Sequence, residues 1–311
     1  MMRRRGALLV AALGLSAVMA ACGGGSDSDS ADTTEGTTAS TVAAGEDTVS
    51  VNLAEYTYGV SGSLRAGGTI RLQNLGREFH MMGLGKLKEG KTLDDLKTVL
   101  EKASGPPASP EEDPTKDIID EVGVPGAIIG PGQTAEVTVP TLSTGTYAMV
   151  CFIPVEGGGP PHFTKGMISQ LSVVDGKPPV PKADATFTIA PGKPVQGPSS
   201  LKAGKHVIEF KAEPGSEQLE PGIAKLDPGK TIKDVNAVFK SFESGDDFIL
   251  PVGAPSKVPA KLAAGFFDMR DVTSVFVGLD LTPGTYGIDA HDSDVKDAPI
   301  DPVEKATFAV T

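Results

Sequence analysis

Four side chains with metal-ligand chemistry fall in one part of this chain: His80, Cys151, His162 and Met167. A thiolate, two imidazoles and a thioether are ligand types that suit copper. Two histidines and one cysteine with a weak axial methionine form an electron-transfer copper site. The plainer alternative is that the cysteine and methionine fill a hydrophobic core and that the histidines bind nothing. The choice depends on the elements that position these residues.

Short runs of alternating apolar and polar residues indicate that β-strands carry the ligand candidates. Residues 145–151 form a turn and a strand that ends at Cys151, and His162 and Met167 follow on one loop before the strand Ile168 to Val174. Other alternating runs typical of half-buried strands are Val49 to Leu53, Thr69 to Leu72 and Ala135 to Val139. A β framework is therefore expected to position the four candidates.

Across residues 46–175 the chain resembles the cupredoxins, the family of plastocyanin, amicyanin and azurin. Residues 74–80 resemble the strand end that delivers the first histidine, and residues 145–151 resemble the strand before the ligand loop. Residues 162–167 have the plastocyanin-like spacing of four intervening residues. The resemblance implies one copper ion with three strong ligands and one weak axial ligand. The strong ligands would be His80, Cys151 and His162, and the axial ligand would be Met167.

Two features depart from the family pattern. Family members usually place only a few residues between the cysteine and the second histidine, whereas ten residues, Phe152 to Pro161, separate them here. Met81 is also an unusual neighbour for the first histidine. Together with Cys151 and Met167, the thioethers of Met81 or Met82 would favour Cu(I), so copper trafficking stands beside electron transfer as an interpretation.

The second half of the chain repeats the first. Matching segments are 63–67 with 200–204, 83–92 with 222–231, and 142–147 with 281–286. From residue 83 onward the offset between the halves is 139 residues. We therefore predict two copies of one fold.

The second copy lacks the ligand set. At the offset of 139, His80 corresponds to Leu219, and Cys151 corresponds to Ala290. His291 lies one position further along among aspartates, and we interpret it as part of a solvated acidic loop. A degenerate second domain without metal ligands is therefore expected.

Each copy also carries one amphipathic segment that begins after a threonine. Thr92 precedes Leu93 to Ala103, and Thr231 precedes the second segment. Residues 176–184 are rich in proline and read as a stiff linker. The predicted fold is mainly β, with two tandem cupredoxin-like Greek-key β-sandwiches, each with a short inserted helix. Their predicted bounds are residues 46–175 and 185–311.

Residues 85–92 match the pattern of a phosphate-binding loop. Such a loop requires a buried strand that leads into the glycine turn of a βαβ unit, so that backbone amides surround the phosphates. The second copy has Ala224 in place of the first glycine and keeps Gly-Lys-Thr. We therefore interpret the match as a turn before a helix.

The N-terminus predicts export and lipid anchoring. Three arginines precede the apolar stretch Ala7 to Met19, which is too short to span a bilayer and leads into a lipobox-like segment that ends at Cys22. Residues 1–21 would be a lipoprotein signal peptide, and residues 22–45 a disordered tether from the acylated cysteine. The expected location is extracytoplasmic, lipid-anchored to the cell membrane, which is then one partner.

Composition limits the remaining partners. Loss of the signal peptide removes three arginines and no acids, so the formal net charge moves from −12 to −15. Nucleic acid is therefore not an expected partner. With Cys22 used for the anchor, Cys151 has no cysteine with which to form an intramolecular disulfide.

The function expected from these residues is single-electron transfer or copper handling, with a redox or copper-exchange protein as partner. No enzyme activity is expected, because we find no defensible catalytic motif. The alternative is a non-metal surface β-sandwich module that binds a protein or a small ligand.

Overall fold

The computed structural model describes residues 45–103, 115–120, 127–153, 155, 159–216, 219–234, 260–264, 272–292 and 305–311. The predicted signal peptide, Cys22, the tether up to residue 44 and most of the second predicted helix lie outside these residues. No helix in the described part is both long enough and apolar enough to cross a membrane.

The first half is built from strands with alternating burial, as its sequence predicts. In the first strand Val49, Val51 and Leu53 are buried, whereas Ser50 and Asn52 between them are exposed. The strands of this half are β1 (Glu46–Ala54), β2 (Thr57–Val60), β3 (Leu64–Asn74), β4 (His80–Lys86), β5 (Ala127–Ile129), β6 (Thr134–Thr138), β7 (Gly145–Val150) and β8 (Ile168–Val174).

These strands form a β-sandwich. In one layer β3 pairs with β1 in parallel and with β6 antiparallel, and β2 continues the layer beyond β1. In the other layer β7 lies between β4 and β8, and β5 pairs with the start of β4. The layers join where Leu64 and Arg65 of β3 pair with Val173 and Val174 of β8. The predicted fold class, mainly β with sandwiched sheets, is confirmed.

The second half has the same pairing pattern. Its strands are β9 (Ala185–Ile189), β10 (Ser200–Leu201), β11 (Gly204–Ala212), β12 (Leu219–Leu226), β13 (Ala260–Ala264), β14 (Ser274–Leu281), β15 (Gly284–Asp292) and β16 (Lys305–Val310). β11 pairs with β9 in parallel and with β14 antiparallel, and β15 lies between β12 and β16. Residues 176–184, the predicted linker, contain neither helix nor strand.

The two sandwiches share one sheet, which the sequence does not predict. β6 pairs antiparallel with β14, with Val137 opposite Val277 and Thr138 opposite Phe276. At the offset of 139 these two pairs exchange places, so the contact has the self-complementary form of a two-fold interface. Buried side chains from both halves also belong to one hydrophobic cluster.

One α-helix, α1 (Leu93–Ala103), is fully described, with the bounds predicted from the sequence. Its buried residues Leu96 and Leu100 pack in a cluster with Phe163. At the start of the helix, the Asp95 amide donates a hydrogen bond to the Thr92 hydroxyl at 3.2 Å. The Thr92 amide donates one to the Asp95 carboxylate at 2.8 Å. This reciprocal cap explains the Gly-Lys-Thr segment without a phosphate.

Several hydrogen bonds recur at positions 139 residues apart. The Tyr147 hydroxyl donates to the Ser143 carbonyl at 2.9 Å, and the Tyr286 hydroxyl donates to the Thr282 carbonyl at 3.1 Å. Thr231 donates to the Asp234 carboxylate through both its amide and its hydroxyl, as Thr92 does to Asp95. Both halves therefore use the same local contacts at their turns.

Candidate metal centre

Three of the four predicted ligands meet at one buried point. Nδ1 of His80 lies 3.2 Å from Nδ1 of His162, which lies 3.5 Å from Sγ of Cys151. One ligand atom of each residue lies within 4.8 Å of the others, and all three side chains are 0% exposed. Among the described residues, no other group of three or more histidines, cysteines and acidic residues lies close enough together to hold a metal ion.

Strand β4 changes its partner at this point. Residues 83–86 pair with β7, whereas residues 80–82 pair with β5. β4 and β7 therefore part at the end that carries His80 and Cys151, which leaves room for side chains between them. As predicted, the strand ends that carry His80 and Cys151 are neighbours. Their side chains fit between the strands because the pairing of β4 with β7 ends at Gly83 and Val150.

Backbone hydrogen bonds hold the two ends of the loop between Cys151 and His162 together, although ten residues separate them. The His162 amide donates to the Ile153 carbonyl at 2.8 Å, and the Phe163 amide donates to the Cys151 carbonyl at 3.0 Å. These bonds bring the second histidine next to the cysteine. The unusual length of the loop therefore does not separate the two residues.

Met167 lies beside the same strand end. A 3₁₀ turn, His162–Lys165, ends at Gly166, whose φ of +108° suits glycine. The Met167 amide then donates to the His162 carbonyl at 3.1 Å, and its carbonyl accepts the Cys151 amide at 3.2 Å. Its side chain is 0% exposed within the core cluster that contains Cys151.

Burial shifts the pKa of two of the candidate ligands, Cys151 and His80. It raises the pKa of the Cys151 thiol to about 11, although the Met81 amide donates to Sγ at 3.3 Å and opposes this shift. Burial, together with the neighbouring His162, lowers the pKa of His80 to about 4. Cys151 and His80 are therefore both uncharged near neutral pH.

A carboxylate that the sequence analysis missed touches the cluster. Glu78 Oε2 lies 2.8 Å from Nε2 of His162, on the side of the ring away from the other ligands. The signal available in the sequence was only an acidic residue two positions before His80. An isolated glutamate in a loop carries no pattern that reveals this contact.

At the two described positions of the second half that correspond to His80 and Cys151, the ligands are not reproduced. Leu219 and Ala290 are buried at the positions of His80 and Cys151. β12 also stays paired with β15 up to Leu219 opposite Asp292, so the two strands do not part. At these two positions the second half therefore has apolar residues in place of the ligands, and its strands remain paired where those of the first half separate.

The donor set fits a soft or borderline metal ion. Two imidazoles and a thiolate converge without a carboxylate among them, and a buried thioether lies on the adjoining segment. Such ligands suit copper, whereas hard ions prefer oxygen ligands. Copper is thus compatible with the residues present.

No protein-family model matches this chain, and no curated protein matches it. Among solved structures, reduced auracyanin from Roseiflexus castenholzii is similar, with 23% identity over 42% of this chain and 99% of that chain and a TM-score of 0.28. Auracyanin A from Chloroflexus aurantiacus shows 14% identity over 40% of this chain and 98% of that one, with a TM-score of 0.24. The blue copper oxidase from Nitrosomonas europaea shows 14% identity over 85% of each chain, with a TM-score of 0.21. Because all three TM-scores are below 0.5, the conclusions on fold and site rest on the strand pairing and ligand contacts of this chain.

Proposed function

We propose that the first sandwich binds one copper ion through His80, Cys151 and His162, with Met167 as a weak axial ligand, and transfers single electrons. The observation that carries this proposal is the convergence of two Nδ1 atoms and one Sγ atom on a single buried point. Bound copper would supply the one-electron redox change, so no acid–base residue is required.

The chain's own contribution is to hold the ligands and exclude water. His80 comes from the start of β4 and Cys151 from the end of β7, and backbone hydrogen bonds fix the 3₁₀ turn that carries His162 to the end of β7. The Met81 amide donates to the sulfur of Cys151, and hydrogen bonds to a ligand sulfur tune the redox potential of such sites. A fixed, dry ligand set needs little rearrangement when charge changes, which suits electron transfer.

Burial favours electron transfer over copper trafficking. A trafficking protein passes its ion to another protein by ligand exchange, and the incoming ligand must reach the ion. Here all three strong ligands are 0% exposed, and Met82 is buried as well. Retention of the ion is therefore the better match to this centre.

We further infer that the second sandwich is a metal-free copy of the first. The identical strand registers and the repeated tyrosine and threonine hydrogen bonds at an offset of 139 support this origin. Its role would be structural, because it shares a sheet and a core cluster with the copper-binding half. Partner recognition would be its other role.

The cellular setting belongs to the proposal too. The apolar N-terminal stretch and Cys22 support an exported lipoprotein anchored at the outer face of the cell membrane. A redox protein at that surface would be the partner, and the protein itself would not be an enzyme.

The test is a titration of residues 46–311, which contain every described strand, first with Cu(II) and then with Cu(I). Visible absorption and bound-metal stoichiometry would be recorded for the wild type and Cys151→Ser. Ala290→Ser is the matched control, because it introduces the same hydroxyl at the corresponding position of the second half. Zn²⁺, which also accepts histidine and cysteine ligands, is the control metal.

One equivalent of Cu(II) with a thiolate charge-transfer band that only Cys151→Ser abolishes is the expected result. Stoichiometric Cu(I) without this band would instead favour copper handling. Copper binding that does not depend on the cysteine, or no binding, would contradict the proposal and favour a non-metal binding module.

A further inference from the structure

We propose that Glu78 is a positioning residue that holds His162 in its metal-binding tautomer and makes the centre favour Cu(II) over Cu(I). This inference rests on the proposed function, because it concerns the same ligands. It starts from the 2.8 Å contact between Glu78 Oε2 and Nε2 of His162. The His162 side chain is 0% exposed and the Glu78 side chain 12% exposed, so water competes little for this bond.

The contact determines which ring nitrogen of His162 carries the proton. A carboxylate only accepts hydrogen bonds, so the proton lies on Nε2. A neutral imidazole then has a free lone pair on Nδ1. That nitrogen faces the ligand cluster, because it lies 3.2 Å from Nδ1 of His80 and 3.5 Å from Sγ of Cys151. Metal-bound histidines commonly donate their other ring nitrogen to such a partner, which fixes the ring and increases its basicity.

Glu78 itself stands on a braced loop. The buried Asn74 side chain donates to the carbonyls of Glu78 at 2.8 Å and Ile129 at 3.0 Å. Its oxygen accepts the Gly76 amide at 2.8 Å. These hydrogen bonds fix the backbone of Glu78 to the ends of strands β3 and β5. This support limits the positions that the Glu78 carboxylate can take against His162.

The two histidines differ in this respect. Nε2 of His80 is buried and has no hydrogen-bond partner among the described residues. The Glu78 carboxylate therefore contacts the ligand set directly through His162, whereas the Glu55 carboxylate acts on His80 only through space. Because a nearby anion stabilises a doubly charged ion more than a singly charged one, this charge favours Cu(II).

Three variants of the full-length protein in detergent separate the hydrogen bond from the charge. Glu78→Gln keeps an oxygen acceptor and removes the charge, whereas Glu78→Leu removes both. Glu101→Gln removes one charge from an exposed position on α1 and is the matched control. Affinities for Cu(II) and Cu(I) would be measured by chelator competition. Nitrogen NMR of the metal-free histidine rings would report the tautomer of His162.

We expect Glu78→Gln to lower the Cu(II)-to-Cu(I) affinity ratio about tenfold, which equals a rise of about 59 mV in the one-electron midpoint potential. Glu78→Leu should weaken binding of both ions about tenfold or more and release His162 from the Nε2-protonated tautomer. Glu101→Gln should change neither property.

Two results would overturn the inference. One is an unprotonated Nε2 on His162 in the metal-free wild type. The other is an affinity ratio in Glu78→Gln equal to that in Glu101→Gln. If the wild type binds no copper, the proposed function fails together with the charge effect. The NMR result on the metal-free protein still supports or refutes the positioning role.

Discussion

Replacement of Asn74 by alanine is expected to destabilise the protein by about 3 kcal/mol. The Asn74 side chain is 0% exposed and makes three hydrogen bonds, two as donor and one as acceptor. Each is worth about 1 kcal/mol net, and truncation also leaves backbone partners without a hydrogen bond. The loss falls on the loop that carries Glu78, so metal affinity should also drop about tenfold.

The assay is urea unfolding of metal-free residues 46–311, followed by copper titration of the folded variant. With a slope of about 3 kcal/mol per molar urea, the midpoint should fall by about 1 M. Asn52→Ala is the matched control, because Asn52 is exposed on β1 and its loss should cost about 0.5 kcal/mol or less.

An Asn74→Ala midpoint equal to that of Asn52→Ala would refute this reasoning. It would mean that the three hydrogen bonds contribute no net stability and do not brace the loop. Reduced stability with unchanged metal affinity would refute only the link between the loop and the centre.

Three further predictions concern the pH dependence of metal affinity, the space beside His80 and the sheet that the two halves share. The pKa of Cys151 is about 11 and that of His80 about 4, so between about pH 6 and about pH 8 metal binding by these two ligands displaces the thiol proton of Cys151 alone. Apparent affinity, measured by competition, should then rise about tenfold per pH unit. Gly76→Ala would place Cβ 2.7 Å from Nε2 of the buried His80, so it should weaken metal binding about tenfold or more in the same assay. Val137 and Val277 are cross-strand partners, so a double-mutant cycle with alanine should give a coupling energy of about 0.5 kcal/mol or more from urea unfolding.

Each of these predictions has its own contradicting result. A flat pH dependence would mean that the thiol is already ionised in the metal-free protein. Gly59→Ala is the control for Gly76→Ala, since no atom there lies nearer than 3.6 Å to the added Cβ. Equal metal affinities in these two variants would contradict the steric argument. Additive effects of the two valine substitutions would mean that the strand contact adds no coupling energy.

The strands and the candidate ligand residues could be predicted from the sequence, because both depend on local pattern. Alternation locates β1, and the residue types of His80, Cys151 and His162 limit the chemistry. The contact between Glu78 and His162 was not predictable, because it depends on how the loop after β3 folds. Helix α1 was predictable to its bounds, since a cap and an apolar stripe act within one segment.

Pairing between the halves could not be predicted for a similar reason. Val137 lies between two polar residues and Val277 between Phe276 and Gly278, and nothing in either segment shows which strand it will meet. The partner is chosen by the three-dimensional arrangement of two complete sandwiches. The proposed duplication would explain the self-complementary register, but it would not require that equivalent strands pair.

The pairing of β6 with β14 also affects the tendency of the protein to aggregate at low concentration. Alone, either sandwich would present an unpaired sheet edge, which is a template for aggregation. Two separate copies would cover these edges only at concentrations that support a dimer. Residues 176–184 join the two sandwiches in one chain, so the edges meet at a high effective concentration that does not depend on the expression level.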